Sequence, residues 1–264
     1  MKRTYVYVDG FNLYYRALRG TRYKWLNLQT LVAALLDPDN EIELIRYFTA
    51  PVGGKLDPGQ PIRQQRYLQA LSTLPNVTIH LGNFLTRPKT RPLVKPVAGG
   101  PTHFQIYNTE EKGSDVNLAT YLVHDAWRNL FDVAVVLSQD TDLVEPVRIV
   151  RDEIRKDIGV VCLDGAKPGK LAAHGSFIRH ITPSRLAAAQ FPEIIPFGKK
   201  GKSVTRPVEW KECVSVDGIL ASRLSTEGVS GSPIRCNYVA FGLVGTGAKA
   251  CVSTAAVPLP EETG

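Results

Sequence analysis

DVAVVLSQDTDL, residues 132–143, is the stretch on which the reading of this chain turns. Its apolar half, DVAVVL (132–137), reads as a buried strand, and it finishes on two carboxylates, Asp140 and Asp142, only two residues apart. Similar runs recur at TYVYV (4–8), IELIRYFTA (42–50), VTIHL (77–81) and GVVCL (159–163). Between them lie helical patterns: LQTLVAALL (28–36), residues 61–74 with Ile62, Leu68, Leu71 and Leu74, residues 115–128 and residues 142–157. Strands alternating with helices of this size imply βαβ crossovers, hence an α/β fold with a mainly parallel central sheet flanked by helices on both faces. In such sheets the functional crevice lies beyond the carboxyl ends of the strands, so strand-terminal residues become the candidates.

Two regions break the alternation. Residues 83–114 are too long for a simple connection; their Pro-punctuated basic stretch followed by HFQIY (103–107) predicts a projecting loop or hairpin. After residue 198 the chain becomes basic and loop-like (GKKGKSVTRPVEWK), and 212–264 is rich in Gly, Ser, Thr, Val and Ala with few charges. The domain is therefore drawn over 1–198, with 199–264 as a basic linker and a low-charge tail.

The 264 residues suffice for a substantial core, and 44% hydrophobic with 22% charged residues is a soluble globular composition. No apolar run approaches the roughly 18 residues of a membrane span, and Tyr5 to Val8 is too short for a signal peptide's apolar region. Cys162, Cys213, Cys236 and Cys251 are scattered without a C-x-x-C pair, which points away from a zinc or redox site and toward a reducing cytoplasm. A net charge of +7 favours a polyanionic partner. Self-association is left open.

Acidic residues recur where that crevice should be. Asp9 follows the first strand (VYVDGFN) and Asp140 and Asp142 follow the fourth, while Asp115 opens a helix in EKGSDVNLATYL. At 100° per residue, Leu118, Ala119 and Leu122 fall within about 60° of Asp115, placing it at the N-terminal end of the stripe that faces the sheet. Three elements thus bring carboxylates toward one sheet edge, where like charges repel unless a cation neutralises them. Oxygen-only ligands suit Mg²⁺ or Mn²⁺. Each residue also has a plainer reading. Asp9 before Gly10 suits a turn, Asp115 suits the helix dipole with Ser114 as N-cap, and Asp142 with Glu145 three residues on suits a capping box with Pro146 in the first turn. Asn12 can position a water or carboxylate, or cap a helix; Ser138 has the same ambiguity. Lys112 can meet a substrate phosphate or lie solvated.

DGFN (9–12), EKGSDVNLA (111–119) and LSQDTDL (137–143), in this order and on these elements, resemble the NYN domain family, PIN-like proteins related to LabA. The resemblance covers roughly residues 3–197, and RP-x-EW (206–210) is similar to the usual close of such domains. It implies a PIN-like three-layer α/β fold, an acidic Mg²⁺ or Mn²⁺ site and ribonuclease activity. Asp9, Asp115 and Asp140 match the core acidic positions, Asp142 a further one, and Asn12 and Ser138 the polar positions beside them. Tyr121 stands where many relatives carry another Asp, and Gln139 where Gly is frequent, which puts a second metal position in doubt.

Three basic clusters are candidates for holding a nucleic acid, expected to be single-stranded RNA. Arg16, Arg19, Arg22 and Lys24 are interleaved with Tyr14, Tyr15, Tyr23 and Trp25, a mixture suited either to phosphate contacts with base stacking or to an amphipathic helix whose aromatics enter the core. Arg87, Lys89 and Arg91 lie in a stretch whose prolines keep it extended, and residues 199–211 form the third. The leading expectation is a metal-dependent ribonuclease. Two alternatives are a non-catalytic RNA-binding or regulatory module and, last, an Asp-x-Asp phosphatase with Asp140 as nucleophile.

Overall fold

A computed structural model of the chain describes residues 1–54, 57–95, 99–165, 168–198 and 201–211. At its centre is a six-stranded sheet in which every pairing is parallel. β1 (Lys2–Asp9) is flanked on one side by β2 (Asn40–Thr49) and then β3 (Val77–Leu81), and on the other by β6 (Val133–Leu137), β7 (Asp157–Cys162) and β8 (Phe177–His180). The chain builds outward from β1 in one direction and later resumes on its other side, so the strand order reverses between β1 and β6. That is the topological switch point, where open α/β sheets form their crevice.

Alternation along the central strands supplies two cores. Val6, Val8, Val133, Val135 and Leu137 point to one face, covered by α1 (Gly10–Leu13), α2 (Leu28–Ala33), α3 (Gln60–Leu71) and α6 (Pro183–Ala188) through Leu13, Leu31, Leu71 and Leu186. Tyr7, Ala134 and Val136 point to the other, covered by α4 (Ser114–Trp127) and α5 (Val144–Arg148) through Leu118, Leu122 and Val147. All five β6 residues are buried because helices lie on both sides. The three layers are those expected from the α/β alternation.

α4 is fastened to the sheet by a buried ion pair. The Asp125 carboxylate accepts from the Tyr7 hydroxyl at 2.8 Å and from Arg46 Nε at 2.8 Å and Nη2 at 3.2 Å. Arg46 lies 4.4 Å from the Tyr121 ring centre, and Tyr121 in turn meets the His80 ring at 4.4 Å. Burial, followed by the Asp125 charge, pushes the Tyr7 phenol well above its ordinary range, and burial and then Arg46 push His80 down.

The long connection predicted as a loop or hairpin is a two-stranded antiparallel ribbon of β4 (Asn83–Pro92) and β5 (His103–Lys112). Other elements differ from their sequence expectation. The helix expected over 142–157 is a 3₁₀ turn at Thr141–Leu143, then α5, then a π-helical turn at Ile149–Glu153. Pro146 has no N–H to donate, which confines it to the start of α5. β8, and β9 (Ile194–Pro196) and β10 (Ser203–Thr205), which form a separate two-stranded sheet, are too short to show a period. The supposed linker is no linker in its described part: β10 pairs with β9, and Trp210 packs 6.2 Å from Trp25 and 6.1 Å from Tyr67 between ring centres. Arg206 donates to the carbonyls of Arg22 and Trp210, and Lys211 pairs with Glu193. Lys199, the tail 212–264 and Cys213, Cys236 and Cys251 lie outside the described residues. Cys162 is a buried free thiol, and no described helix is long and apolar enough to cross a membrane.

Candidate metal centre

Strand register places the first two carboxylates. Val8 pairs with Leu137, so the residues that follow, Asp9 at the end of β1 and Ser138 just past β6, leave the sheet side by side at the switch point. The Ser138 hydroxyl donates to Asp9 Oδ2 at 3.1 Å and accepts from the Asp140 N–H at 3.1 Å. One buried hydroxyl thereby ties the two acidic loops together. Asp9 Oδ1 accepts from the Asn12 N–H at 2.9 Å and caps α1, and Asn12 Oδ1 accepts from the Gln139 N–H at 3.1 Å. Gln139 continues the network, accepting from the Leu163 N–H at 3.0 Å and donating to Asp164 at 3.2 Å.

Gly10 permits this packing. A Cβ there would lie 2.7 Å from the Tyr47 ring and hydroxyl and 2.8 Å from the Phe48 carbonyl oxygen, closer than real Cβ atoms come. Burial first, and the Asp9 charge second, push the Tyr47 phenol well above its ordinary range.

Asp115 arrives from the other side of the crevice. β5 turns into α4 through Gly113, whose φ of 101° is left-handed and suits glycine. The Glu111 carboxylate accepts from the Ser114 N–H at 3.0 Å and the Ser114 hydroxyl at 2.7 Å. The helix start is thus held by a residue upstream of it, and Ser114 is the first helical residue rather than the expected cap. Asp115 then occupies the first turn, with Leu118 and Leu122 fully buried below it as the helical spacing predicts.

The outcome is a group of three: one carboxylate oxygen each of Asp9, Asp115 and Asp140 lies within 4.8 Å of the others. Asp9 is buried and the other two are half-buried. Three anionic oxygen donors this close fit a hard divalent cation, whose charge offsets their mutual repulsion. The group can therefore hold a metal ion.

Asp142 falls outside the group. It is exposed on the 3₁₀ turn, and its N–H donates at 3.1 Å to Asp140 Oδ1, so Asp140 and not Asp142 caps that turn. The capping-box reading fails because the chain enters the helix through a 3₁₀ turn that starts two residues early. Ser138 hydrogen-bonds to Asp9 and the Asp140 N–H, and Asn12 to the Gln139 N–H, beside the acidic group. Lys112 is exposed and paired with Glu110 at 2.8 Å. Arg16 pairs with Asp164 at 2.9 Å, while Arg19 and Arg22 lie over the rings of Tyr15 and Tyr23. In that first basic cluster, Trp25 is core: it is fully buried and donates Nε1–H to the Pro192 carbonyl at 2.8 Å. Tyr14 and Tyr23 also pack on the core, leaving Tyr15 as its exposed aromatic. Arg87, Lys89 and Arg91 are exposed on β4. The positions that sequence reasoning missed are Glu111 and Tyr47. E-K-G-S carries a faint signal for the first, a carboxylate three residues ahead of a helix, and nothing local marks the second.

No family model matches the chain. A curated protein of Pseudomonas putida, named 6-hydroxy-3-succinoylpyridine 3-monooxygenase HspA, is 32% identical over 239 residues, covering 79% of this chain and 75% of that one. That relative is named as an enzyme. Among solved structures, a protein of unknown function from Vibrio parahaemolyticus aligns with a TM-score of 0.46 and 15% identity over 69% of this chain and 94% of its own.

Proposed function

This chain belongs to the family of the Pseudomonas putida protein HspA, and we propose that it is a metal-dependent ribonuclease, a PIN-like domain of the NYN type. The observation that carries the reading is the grouping of Asp9, Asp115 and Asp140 at the switch point of a parallel sheet. Mg²⁺ or Mn²⁺ held there would supply Lewis acidity toward a phosphoryl oxygen and a water, the requirement of phosphodiester hydrolysis.

The chain's own groups do the positioning. Ser138 holds Asp9 and the Asp140 loop in fixed relation, and Asn12, through the Gln139 N–H, joins α1 to the loop after β6. Such supporting hydrogen bonds orient metal ligands and set their basicity. Tyr121, which replaces a further acidic residue in the NYN resemblance, fills the stack between Arg46 and His80, supporting a site of one metal ion.

The test is cleavage of a fluorescent single-stranded RNA with Mg²⁺ or Mn²⁺, with EDTA as control. Asp140→Asn should abolish cleavage while the protein stays folded; equal cleavage by that variant would reject the assignment. A second reading follows from the relative's name, a monooxygenase acting on a 6-hydroxypyridine compound, and the extent of the match favours it. Oxygen uptake dependent on 6-hydroxy-3-succinoylpyridine and an electron donor, without RNA cleavage, would select it.

A further inference from the structure

The β4–β5 ribbon is a large feature that the metal centre leaves unused. Among the described residues it pairs with no other strand, and every β4 residue from Leu85 to Pro92 is exposed. Ten residues per strand at about 3.3 Å each make an arm on the order of 30 Å long. On β5, residues 103–107 are likewise exposed, while Asn108 is buried and 109–111 are half-buried toward the root, so the outer length of the ribbon gains little from burial. Core packing therefore does not explain which residues it carries.

The register sorts those residues. Side chains alternate along each strand and cross-strand partners share a face. Arg87 faces Asn108, Lys89 faces Ile106 and Arg91 faces Phe104, all on one side, with Lys112 at its foot. The other side carries neutral pairs such as Thr86 with Thr109 and Thr90 with Gln105. The cations of one face recur at two-residue intervals, about 6.6 Å apart. Phe104, 51% exposed, stands beside them. The carboxylate on this face, Glu110, is already matched by Lys112 at 2.8 Å and Lys89 at 3.6 Å.

The ribbon's root adjoins the elements that carry the acidic group, with Lys112 of the row on one face and Phe84 on the opposite face. Lys112 precedes Asp115 by three residues, and at the ribbon's root Phe84 meets Phe11 edge to face at 5.5 Å, two residues beyond Asp9. Cations in series with an exposed ring suit a flexible strand that offers phosphates and unstacked bases in alternation. We infer that this face is a track for single-stranded RNA, with Arg87, Lys89 and Arg91 on successive phosphates and Phe104 under a base. Its use for feeding substrate to the centre rests on the ribonuclease reading, whereas the binding itself does not.

The experiment measures fluorescence anisotropy of a labelled single-stranded RNA of about 20 nucleotides with the full chain in EDTA, across a salt series. The variant R87A/K89A/R91A should bind at least tenfold more weakly, with a salt slope lower by about 2, the value for three phosphate contacts on a single strand. Phe104→Ala should weaken binding with the slope retained, and the neutral-face variant T90A/Q105A should bind as wild type. Absent binding by wild type, equal binding by all variants, equal loss on both faces, or preference for a duplex of the same sequence would each overturn the track. Circular dichroism confirms that these exposed substitutions leave the fold intact. With metal chelated, the result is independent of catalysis. Face-dependent binding without any cleavage in Mn²⁺ rejects the ribonuclease alone, and cleavage with face-independent binding rejects the track alone.

Discussion

Replacing Asp125 by Ala isolates what holds α4 against the sheet. The Asp125 side chain is 1% exposed and that of Arg46 13%, and the carboxylate receives three hydrogen bonds, two from Arg46 and one from Tyr7. Removing it strands a largely buried guanidinium, a change that costs about 3–5 kcal/mol. For a domain of this size each kcal/mol lowers Tm by about 2–4 °C, so the expected fall is roughly 6–20 °C. Urea denaturation followed by far-UV circular dichroism, with calorimetry for Tm, measures both quantities. The partner variant sharpens the reasoning. Asp125→Leu combined with Arg46→Met removes both charges and should recover much of the loss, because a buried pair contributes little beyond an apolar replacement of similar volume. A loss below about 1 kcal/mol for Asp125→Ala, or a double variant as unstable as the single, would refute the account of a buried, mutually dependent pair.

Three further outcomes follow from the same structure. Ser138→Ala removes the hydroxyl shared by Asp9 and the Asp140 loop and should weaken Mn²⁺ binding by about 10–100-fold in isothermal titration calorimetry, with a stability loss of about 1 kcal/mol. Gly10→Ala places a methyl against Tyr47 and the Phe48 carbonyl, and should cost about 1–3 kcal/mol in denaturant unfolding while lowering Mn²⁺ affinity. Arg3 holds the Asp132 carboxyl at about 2, against an ordinary 3.8. The folded state favours its charged form, so that contribution to stability is complete above about pH 4 and is lost as the pH falls toward 2; Asp132→Asn should flatten the stability profile in that window.

The parallel sheet and the convergence on its edge were legible in the sequence because both are written in periodicity. DVAVVL and TYVYV announce central strands, and the residues after them, Asp9 and Ser138 to Asp140, fall at the switch point whatever the loops do. Asp115 was legible for a similar reason, since helical spacing sets it above Leu118 and Leu122. What depends on tertiary neighbours was not. Whether Trp25 stacks on a ligand or fills a core is decided by Tyr67, Phe191 and Trp210, which lie more than 40 residues away. The transfer of the capping role from Asp142 to Asp140 reflects a 3₁₀ entry that the pattern of polar and apolar residues does not encode. Residues 201–211 looked like a linker because three-residue strands carry no period, yet they pair with β9 and bring Trp210 onto the core. Glu111 supports Ser114 only because the ribbon returns its strand to the helix start.

The central claim is that Asp9, Asp115 and Asp140 form one cation site to which Asp142 does not belong. Isothermal titration of Mn²⁺ into wild type and into the four single Asp→Asn variants tests it directly. The account predicts one site in wild type, marked loss of affinity in Asp9→Asn, Asp115→Asn and Asp140→Asn, and wild-type binding in Asp142→Asn. Undiminished binding in the first three, or an equal loss in the fourth, would contradict it.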